Sequence, residues 1–523
     1  MHRLIAALAC LLAAFAAAPP AMADSADIEA AARGVVRVVI IGRDGDEIFP
    51  ISHGTGFAVG GNRIVTNAHV VEEARQDDRL SIGVVPAEGS EAVYARLVSV
   101  SPRNDLAIIE LTEPLSLPPL TISGNPQENG AVTAIGYPMN VDRAQGLGSS
   151  DIFRAQPPVT STGFLSGRRP SRDFDTILHT ASIARGNSGG PLVDECGRVL
   201  GVNSFGTEST GSDAEFFFAV STRELLPFLR ANGINPRLNS LACRSLAELE
   251  EEEIARAEMQ ARAESERAER EAEALAQRTA EIRQQETFRV IEARSNGMAL
   301  ALLLFVVALA AGALATYGHI QQNMRMRAIA GVVAGVALIG AIVAWVSRPA
   351  FAEIDDRVEK ALREDDDADG PSGTITAPVA DNGGTFQCVL DTDRSRVTGA
   401  PETDISIEWS DAGCVNGRTQ YGRTGGRWTR VFVPANEAAV SVNRFDPDAG
   451  EFVMERYLLD MAAMRDARTA RGSYEAPSCG ASEDAARELG GNQAAIMTDL
   501  PQRPNERLVY RCSRGVSEAE AGE

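Results

Sequence analysis

Ser188 stands in the heptapeptide Arg185-Gly186-Asn187-Ser188-Gly189-Gly190-Pro191, a setting that presents a hydroxyl as a nucleophile. Glycine accepts positive φ and lets a backbone approach a substrate with no Cβ in the way. In such a bend the amides of Gly186 and Ser188 can converge on one point, as the oxyanion formed in acyl transfer requires. A serine hydroxyl becomes a strong nucleophile only when a base takes its proton and a third group holds the base. Two upstream stretches carry those residue types. Thr66-Asn67-Ala68-His69-Val70-Val71 places His69 after the β-type run Arg63–Thr66, and Asn104-Asp105-Leu106-Ala107-Ile108-Ile109 places Asp105 at the head of an apolar strand. Asp77 and Asp78 compete for the third role, but they lie in a polar loop with no strand behind them. His53, in a Gly-rich turn, reads as a structural or exposed histidine.

The chain order His, Asp, Ser, preceded by Gly54-Thr55-Gly56-Phe57, resembles the trypsin-like serine proteases of chymotrypsin fold, in particular the bacterial HtrA/Deg type, over about residues 34–230. The resemblance implies peptide-bond hydrolysis without a metal or other cofactor. His69, Asp105 and Ser188 would be the triad, with the Gly186 and Ser188 amides as the oxyanion hole. It also implies a primary pocket with Ser182 at its floor, six residues before the nucleophile, and Ser204, Phe205, Phe218 and Val220 on its walls. His179, nine residues before Ser188, is a further candidate for that pocket. With no carboxylate at 182, a preference for Lys or Arg is not expected. The sequence departs from the family in two places. Asn187 stands where digestive enzymes carry the Asp that pairs with a new N-terminus, so that route of activation is not expected. No PDZ-like module is recognisable after residue 235.

The elements that must position these residues read as an all-β double barrel over residues 24–235. One barrel takes strands at Gly34–Ile41, Gly56–Val59, Arg63–Thr66, Leu80–Val85, Ala92–Val100 and Leu106–Leu111. The second takes Ala131–Gly136, Asp151–Gly163, Thr176–Thr180, Pro191–Val193, Val199–Ser204 and Glu215–Val220, closed by a helix at Arg223–Ala231. Alternating apolar runs bounded by Gly and Pro are the basis of both readings. His69 and Asp105 then come from one barrel and Ser188 from the other, so the cleft between them is the expected site.

The remainder of the 523 residues is organised differently. Residues 1–23 read as a signal peptide: a basic start, the apolar run Leu4–Ala18 and Ala21-Met22-Ala23 before Asp24. Beyond it six cysteines remain, an even number that suggests disulfides in an exported chain, and neighbours in sequence suggest Cys196–Cys243, Cys388–Cys414 and Cys479–Cys512. Residues 244–296, rich in Ala, Glu, Arg and Gln, read as a long charged helix. Its apolar positions keep no clean heptad, so a single solvated helix is preferred over a coiled coil that would join copies of the chain. Residues 298–317 and 328–346 are each apolar enough to cross a bilayer as a helix, with Arg325 and Arg327 in the tip between them. Residues 347–384 read as an acidic linker, and 385–514 as a small α+β domain with four of the cysteines and a helix expected at Phe452–Arg468.

The net charge of −22 argues against a nucleic-acid partner, since nothing here would neutralise phosphates. Together these features predict a serine endopeptidase tethered to the bacterial inner membrane, facing the periplasm and acting on envelope proteins or peptides. The alternative is a catalytically silent scaffold or envelope sensor that uses the protease fold for peptide recognition.

Overall fold

Every residue of Val35–Ile41 is buried, yet the strand sends its two sides to different places. Val36, Val38 and Ile40 join Ile64, Ile82, Val84, Ala107 and Ile109 inside one barrel. Val35, on the other side, joins Phe57, Val65, Leu106 and Ile108 in a core shared with Ile135, Val193, Val199, Val202 and Val220 of the next barrel. A period of two with both faces covered produces this continuous apolar run. In a computed structural model the described residues are 25–89, 92–127, 129–170, 174–207, 215–368 and 383–515. The signal-peptide stretch and most of the linker lie outside them.

The first barrel comprises β1 (Val35–Asp44), β2 (Glu47–Gly60), β3 (Arg63–Thr66), β4 (Ser81–Val85), β5 (Val93–Ser101) and β6 (Leu106–Leu111), closed in the order β1-β2-β3-β6-β5-β4. The second region comprises β7 (Ile122–Ser123), β8 (Ala131–Gly136), β9 (Val159–Pro170), β10 (Asp175–His179), β11 (Pro191–Val193), β12 (Val199–Gly206), β13 (Phe217–Ser221) and β14 (Leu238–Asn239). Its strands run β11-β8-β9-β10-β13-β12, and a β11–β12 pairing closes the ring, with β7 and β14 laid alongside in parallel. The double barrel expected from the sequence is present, with one shift of element. Asp151–Phe153 is a single 3-10 turn, and the strand begins only at Val159, after Pro157 and Pro158.

Residues up to 253 and from 381 onward form one unit, and residues 254–380 a second. Within the first, the C-terminal region is a nine-stranded antiparallel sheet: β15 (Gly384–Leu390), β16 (Asp404–Ser410), β17 (Cys414–Val415), β18 (Thr419–Gln420), β19 (Gly422–Thr424), β20 (Arg427–Phe432), β21 (Ala439–Asp446), β22 (Glu451–Leu458) and β23 (Glu506–Arg514). The order is β18-β17-β16-β15-β23-β22-β21-β20-β19. One face buries an aromatic cluster of Phe386, Trp409, Tyr421, Phe445, Phe452 and Tyr510; the helices Met461–Gly472 and Glu483–Thr498 cover Val431, Val440 and Val442. The expected helix at Phe452–Arg468 is therefore corrected. Its first half is β22, held between β21 and β23.

The disulfides are Cys196–Cys243, Cys388–Cys512 and Cys414–Cys479. The first is the expected one; the other two correct the pairing by proximity. Cys388 and Cys512 are direct cross-strand partners on β15 and β23, brought together by sheet register over 124 residues.

In the second unit the charged helix and the first apolar stretch are not separate. They run as one helix, Leu246–Ile320, which begins in the first unit, turns at residues 321–323 and continues as Met324–Val346. Asn323 caps that second helix by accepting from the Met326 amide. Ala301, Ala308 and Ala311 of one helix and Ala337 and Ala341 of the other are buried, while Leu302, Leu303, Val306, Val332, Val336 and Ile339 are exposed. Small residues thus form the seam and large apolar ones the outside. Part of the expected linker is also helical, at Glu353–Ala368.

Candidate active site

The two barrels bring His69, Asp105 and Ser188 to one cleft. Asp105 follows the 3-10 turn Pro102–Asn104 with φ +48°, a left-handed conformation that Asp tolerates better than most residues. The Asn67 side-chain amide donates to its carbonyl at 2.8 Å and fixes that bend. The carboxylate is thereby aimed at His69. Nδ1 lies 3.0 Å from both carboxylate oxygens, and the His69 backbone amide donates to Oδ1 at 3.2 Å. The His69 side chain remains 52% exposed, open to whatever enters the cleft.

Ser204 links the acid to the nucleophile. Its hydroxyl donates to Asp105 Oδ2 at 2.5 Å, and its carbonyl accepts the Ser188 hydroxyl at 3.1 Å. The Ser188 hydroxyl is thus turned to Ser204, which joins it to the Asp105 carboxylate.

The loop before Ser188 is fixed by its carbonyls. Arg185 O accepts from the Met139 amide at 2.8 Å, and Asn187 O from the Gly190 amide at 3.0 Å. In a planar trans peptide the N–H points opposite to the C=O. The Gly186 and Ser188 amides are therefore turned away from these anchors, and among the described residues neither donates to a protein acceptor. Gly186 has φ +101°, and a Cβ there would lie 2.2 Å from the Tyr137 carbonyl. Only glycine fits that position.

Of the expected pocket residues, Phe205 and Phe218 stack with centroids 4.8 Å apart, and Phe205 is 46% exposed; Ser182 is exposed nearby in sequence to the loop. Of the other two, the Ser204 hydroxyl is turned to Asp105, and Val220 is fully buried in the core between the barrels. Val220 shares a strand face with Phe218, but lies two residues deeper, where Val202, Leu225 and Leu229 cover it. His179 is also wholly buried, beside the Phe217 ring. Burial pushes it down to about 4; Ala181 and Asn203 are its polar neighbours, but neither makes a hydrogen bond of normal geometry to it.

Sequence reasoning missed Ser204 as a partner of Asp105, and Thr55, whose hydroxyl donates to the Gly186 carbonyl at 2.6 Å. The signal for Thr55 was its place between Gly54 and Gly56, where only a small residue beside the nucleophile loop would need two glycine neighbours.

A double barrel with a His–Asp pair facing a serine on a Gly-rich loop is the arrangement of trypsin-like peptidases, and residues 54–202 match the family described as a trypsin-like peptidase domain. Residues 54–202 thus carry a trypsin-like peptidase domain, and the chain is similar over this region to serine proteases of the HtrA type. The mitochondrial serine protease HTRA2 of Bos taurus is 35% identical over 208 residues, covering 39% of this chain and 41% of that protein. Serine protease Rv3671c of Mycobacterium tuberculosis is 32% identical over 203 residues, 37% of this chain and 45% of that one. A probable periplasmic serine endoprotease, DegP-like, of Bartonella henselae is 31% identical over 174 residues, covering 33% and 31%. The chain thus spans less than half the length of each of these relatives.

Proposed function

We propose that the chain is a membrane-tethered serine endopeptidase that cleaves envelope proteins or peptides. The observation that carries the reading is the His69–Asp105 pair beside a serine whose loop leaves two amides free of protein acceptors. Ser188 attacks the scissile carbonyl, His69 takes the proton and returns it to the leaving amine, and Asp105 orients the ring and stabilises its cation. The Gly186 and Ser188 amides receive the oxyanion. The stacked Phe205 and Phe218, with an uncharged Ser182, favour small or medium apolar residues before the cut. Product termini dominated by cleavage after Lys or Arg would overturn that preference.

Two apolar helices of spanning length, Met324–Val346 and the end of Leu246–Ile320, support the tether. Their exposed Leu, Ile and Val side chains suit lipid. The regions before and after them pack as one unit and carry the disulfides, which supports placing both on the oxidising, periplasmic side of an inner membrane. A reporter active only in the cytoplasm should respond when fused at Gly318 and stay dark when fused after residue 515.

The scaffold reading draws on the Ser188 hydroxyl resting on Ser204 rather than His69. A fluorophosphonate probe separates the two. Labelling that disappears in Ser188→Ala, together with Ser188-dependent peptide hydrolysis, is the expected result; an unlabelled, folded wild-type protein favours the scaffold.

A further inference from the structure

Behind the nucleophile loop lies a buried charged cluster that the triad does not use. The Arg37 guanidinium on β1 is 1% exposed and donates to Asp142 Oδ1 at 2.9 Å and to the Ile152 carbonyl at 3.2 Å. It also stacks over the Tyr137 ring, 4.6 Å from its centroid. His53 on β2 places Nε2 3.2 Å from Asp142 Oδ2 and donates it to the Tyr137 carbonyl, also at 3.2 Å. Arg37 and His53 belong to the first barrel. Tyr137 and Asp142 belong to the second, the former lying two residues before the short helix Met139–Ala144 and the latter within it.

That helix holds the loop. Its first amide, Met139, is the donor to Arg185 O, the bond that turns the Gly186 N–H outward. A second path runs alongside: the Tyr137 amide donates to the Thr55 hydroxyl at 3.1 Å, and that hydroxyl donates to Gly186 O. The Arg185 and Gly186 carbonyls are thus held by segment 137–139 and by Thr55. Gly186 also rests directly on the cluster, since a Cβ there would lie 3.2 Å from His53 Nε2. A buried ion pair is weak evidence for stability, because desolvation offsets much of the attraction; its stronger effect is to allow only one arrangement of its partners.

We infer that Arg37, His53 and Asp142 are positioning residues for the oxyanion site, locking segment 137–142 to the first barrel so that the Gly186 amide faces the substrate carbonyl. The inference rests on the endopeptidase reading for its consequence, and on the hydrogen bonds alone for its geometry. The cluster spans both barrels, so it fixes the hole relative to His69 as well as to Ser188.

The test uses the full chain in detergent. Asp142→Asn leaves a buried guanidinium without its charge partner and is prone to misfold, so the informative variants are the double substitution Arg37→Met with Asp142→Leu, and His53→Leu. Each should lower kcat roughly 10- to 100-fold, a fraction of the loss on deleting an oxyanion donor outright. KM for a peptide amide should stay within about 2-fold, because the lost interaction acts only in the transition state. Affinity for a peptide aldehyde, which forms the tetrahedral adduct, should fall in step with kcat. His53→Gln, which keeps a donor for the Tyr137 carbonyl, should recover most of the loss. In parallel, hydrogen exchange at the Met139 amide should quicken in the variants, a readout that needs no activity. If the variants keep wild-type kcat, aldehyde affinity and exchange, the positioning role is overturned. Faster exchange in the variants, with a wild type that never hydrolyses peptides, would uphold the clamp and overturn the endopeptidase reading instead.

Discussion

The protease barrels and the C-terminal sheet belong to one unit and are built from the same material, antiparallel strands with disulfides, yet the polar groups at the barrel cleft and those of the C-terminal core serve different ends. In the C-terminal region Glu506, 1% exposed, is taken up by the Thr398 and Gly399 amides and by Arg456. Gln493, fully buried, accepts from the Val431 amide, and the Gln420 side chain donates to the carbonyls of Ala412 and Tyr421. These groups hold strands and helices to one another. At the Ser188 loop two amides have no acceptor among the described residues, and the serine hydroxyl rests on the Ser204 carbonyl.

The largest effect that tests this contrast is catalytic. Ser188→Ala and His69→Ala should cut kcat by about 10⁴- to 10⁶-fold, and Asp105→Asn by about 10⁴-fold, because members of such a triad act as a unit. Thermal unfolding should hardly move. Near-full activity in folded Asp105→Asn protein would mean that another group orients His69.

The next effect is on stability and lies where the two regions meet. Asp27, on the helix Ser25–Ala32, is 2% exposed; its carboxylate binds the Arg396 guanidinium and accepts from the Asn505 amide at 2.8 Å. Arg396→Met alone should cost about 3–5 kcal/mol in urea unfolding by removing the charge partner of a buried carboxylate. Adding Asp27→Leu should recover most of that. Wild-type unfolding should be a single transition, and Arg396→Met should split it in two. If the variant still unfolds as one unit at the wild-type midpoint, the two regions are not coupled through this pair.

How much of each region was legible follows from the same contrast. Ser188, His69 and Asp105 could be found because chemistry demands particular residue types in particular turns, and Val35–Ile41 because a run covered on both faces can only be a central strand. The depth of Val220 was not legible because a strand run does not reveal how deep each position lies; it is covered by Leu225 and Leu229 from the helix that follows. The C-terminal region offered no such demands. Cys388 meets Cys512 through strand register across 124 residues, information that no local spacing holds.

A smaller effect concerns pH. His179 titrates at about 4 in the folded protein against an ordinary 6.5, because burial disfavours the cation. The unfolded chain therefore binds more protons between these values. Its contribution is complete above pH 6.5 and is lost as pH falls toward 4, up to about 3 kcal/mol in all. His53, also lowered by burial and by Arg37, acts in the same direction. His179→Gln should lose less stability than wild type between pH 7.5 and 4.5, measured by urea midpoints. Equal acid losses would mean that the buried ring is not what the acid attacks.

The smallest effect turns on sign rather than size, and it tests the boundary that the sequence misplaced. The stretch Phe452–Arg468 changes character at Asp460, which has extended backbone (φ −71°, ψ 173°) and a carboxylate that accepts from the Ala463 amide at 2.8 Å. Before it, Phe452 and Met454 face Tyr510 and Leu508 across the sheet; after it, Met464 and Ala467 are buried on a helix. As an N-cap, Asp460 satisfies an amide that the helix itself cannot, so Asp460→Ala should destabilise the protein by about 1 kcal/mol and Asp460→Ser should restore most of it. In the interior of one continuous helix the same substitution would act oppositely, since Ala exceeds Asp in helix propensity by up to about 0.7 kcal/mol. A stabilising Asp460→Ala would therefore return Phe452–Arg468 to a single helix, and with it undo the central place of β22 in the sheet.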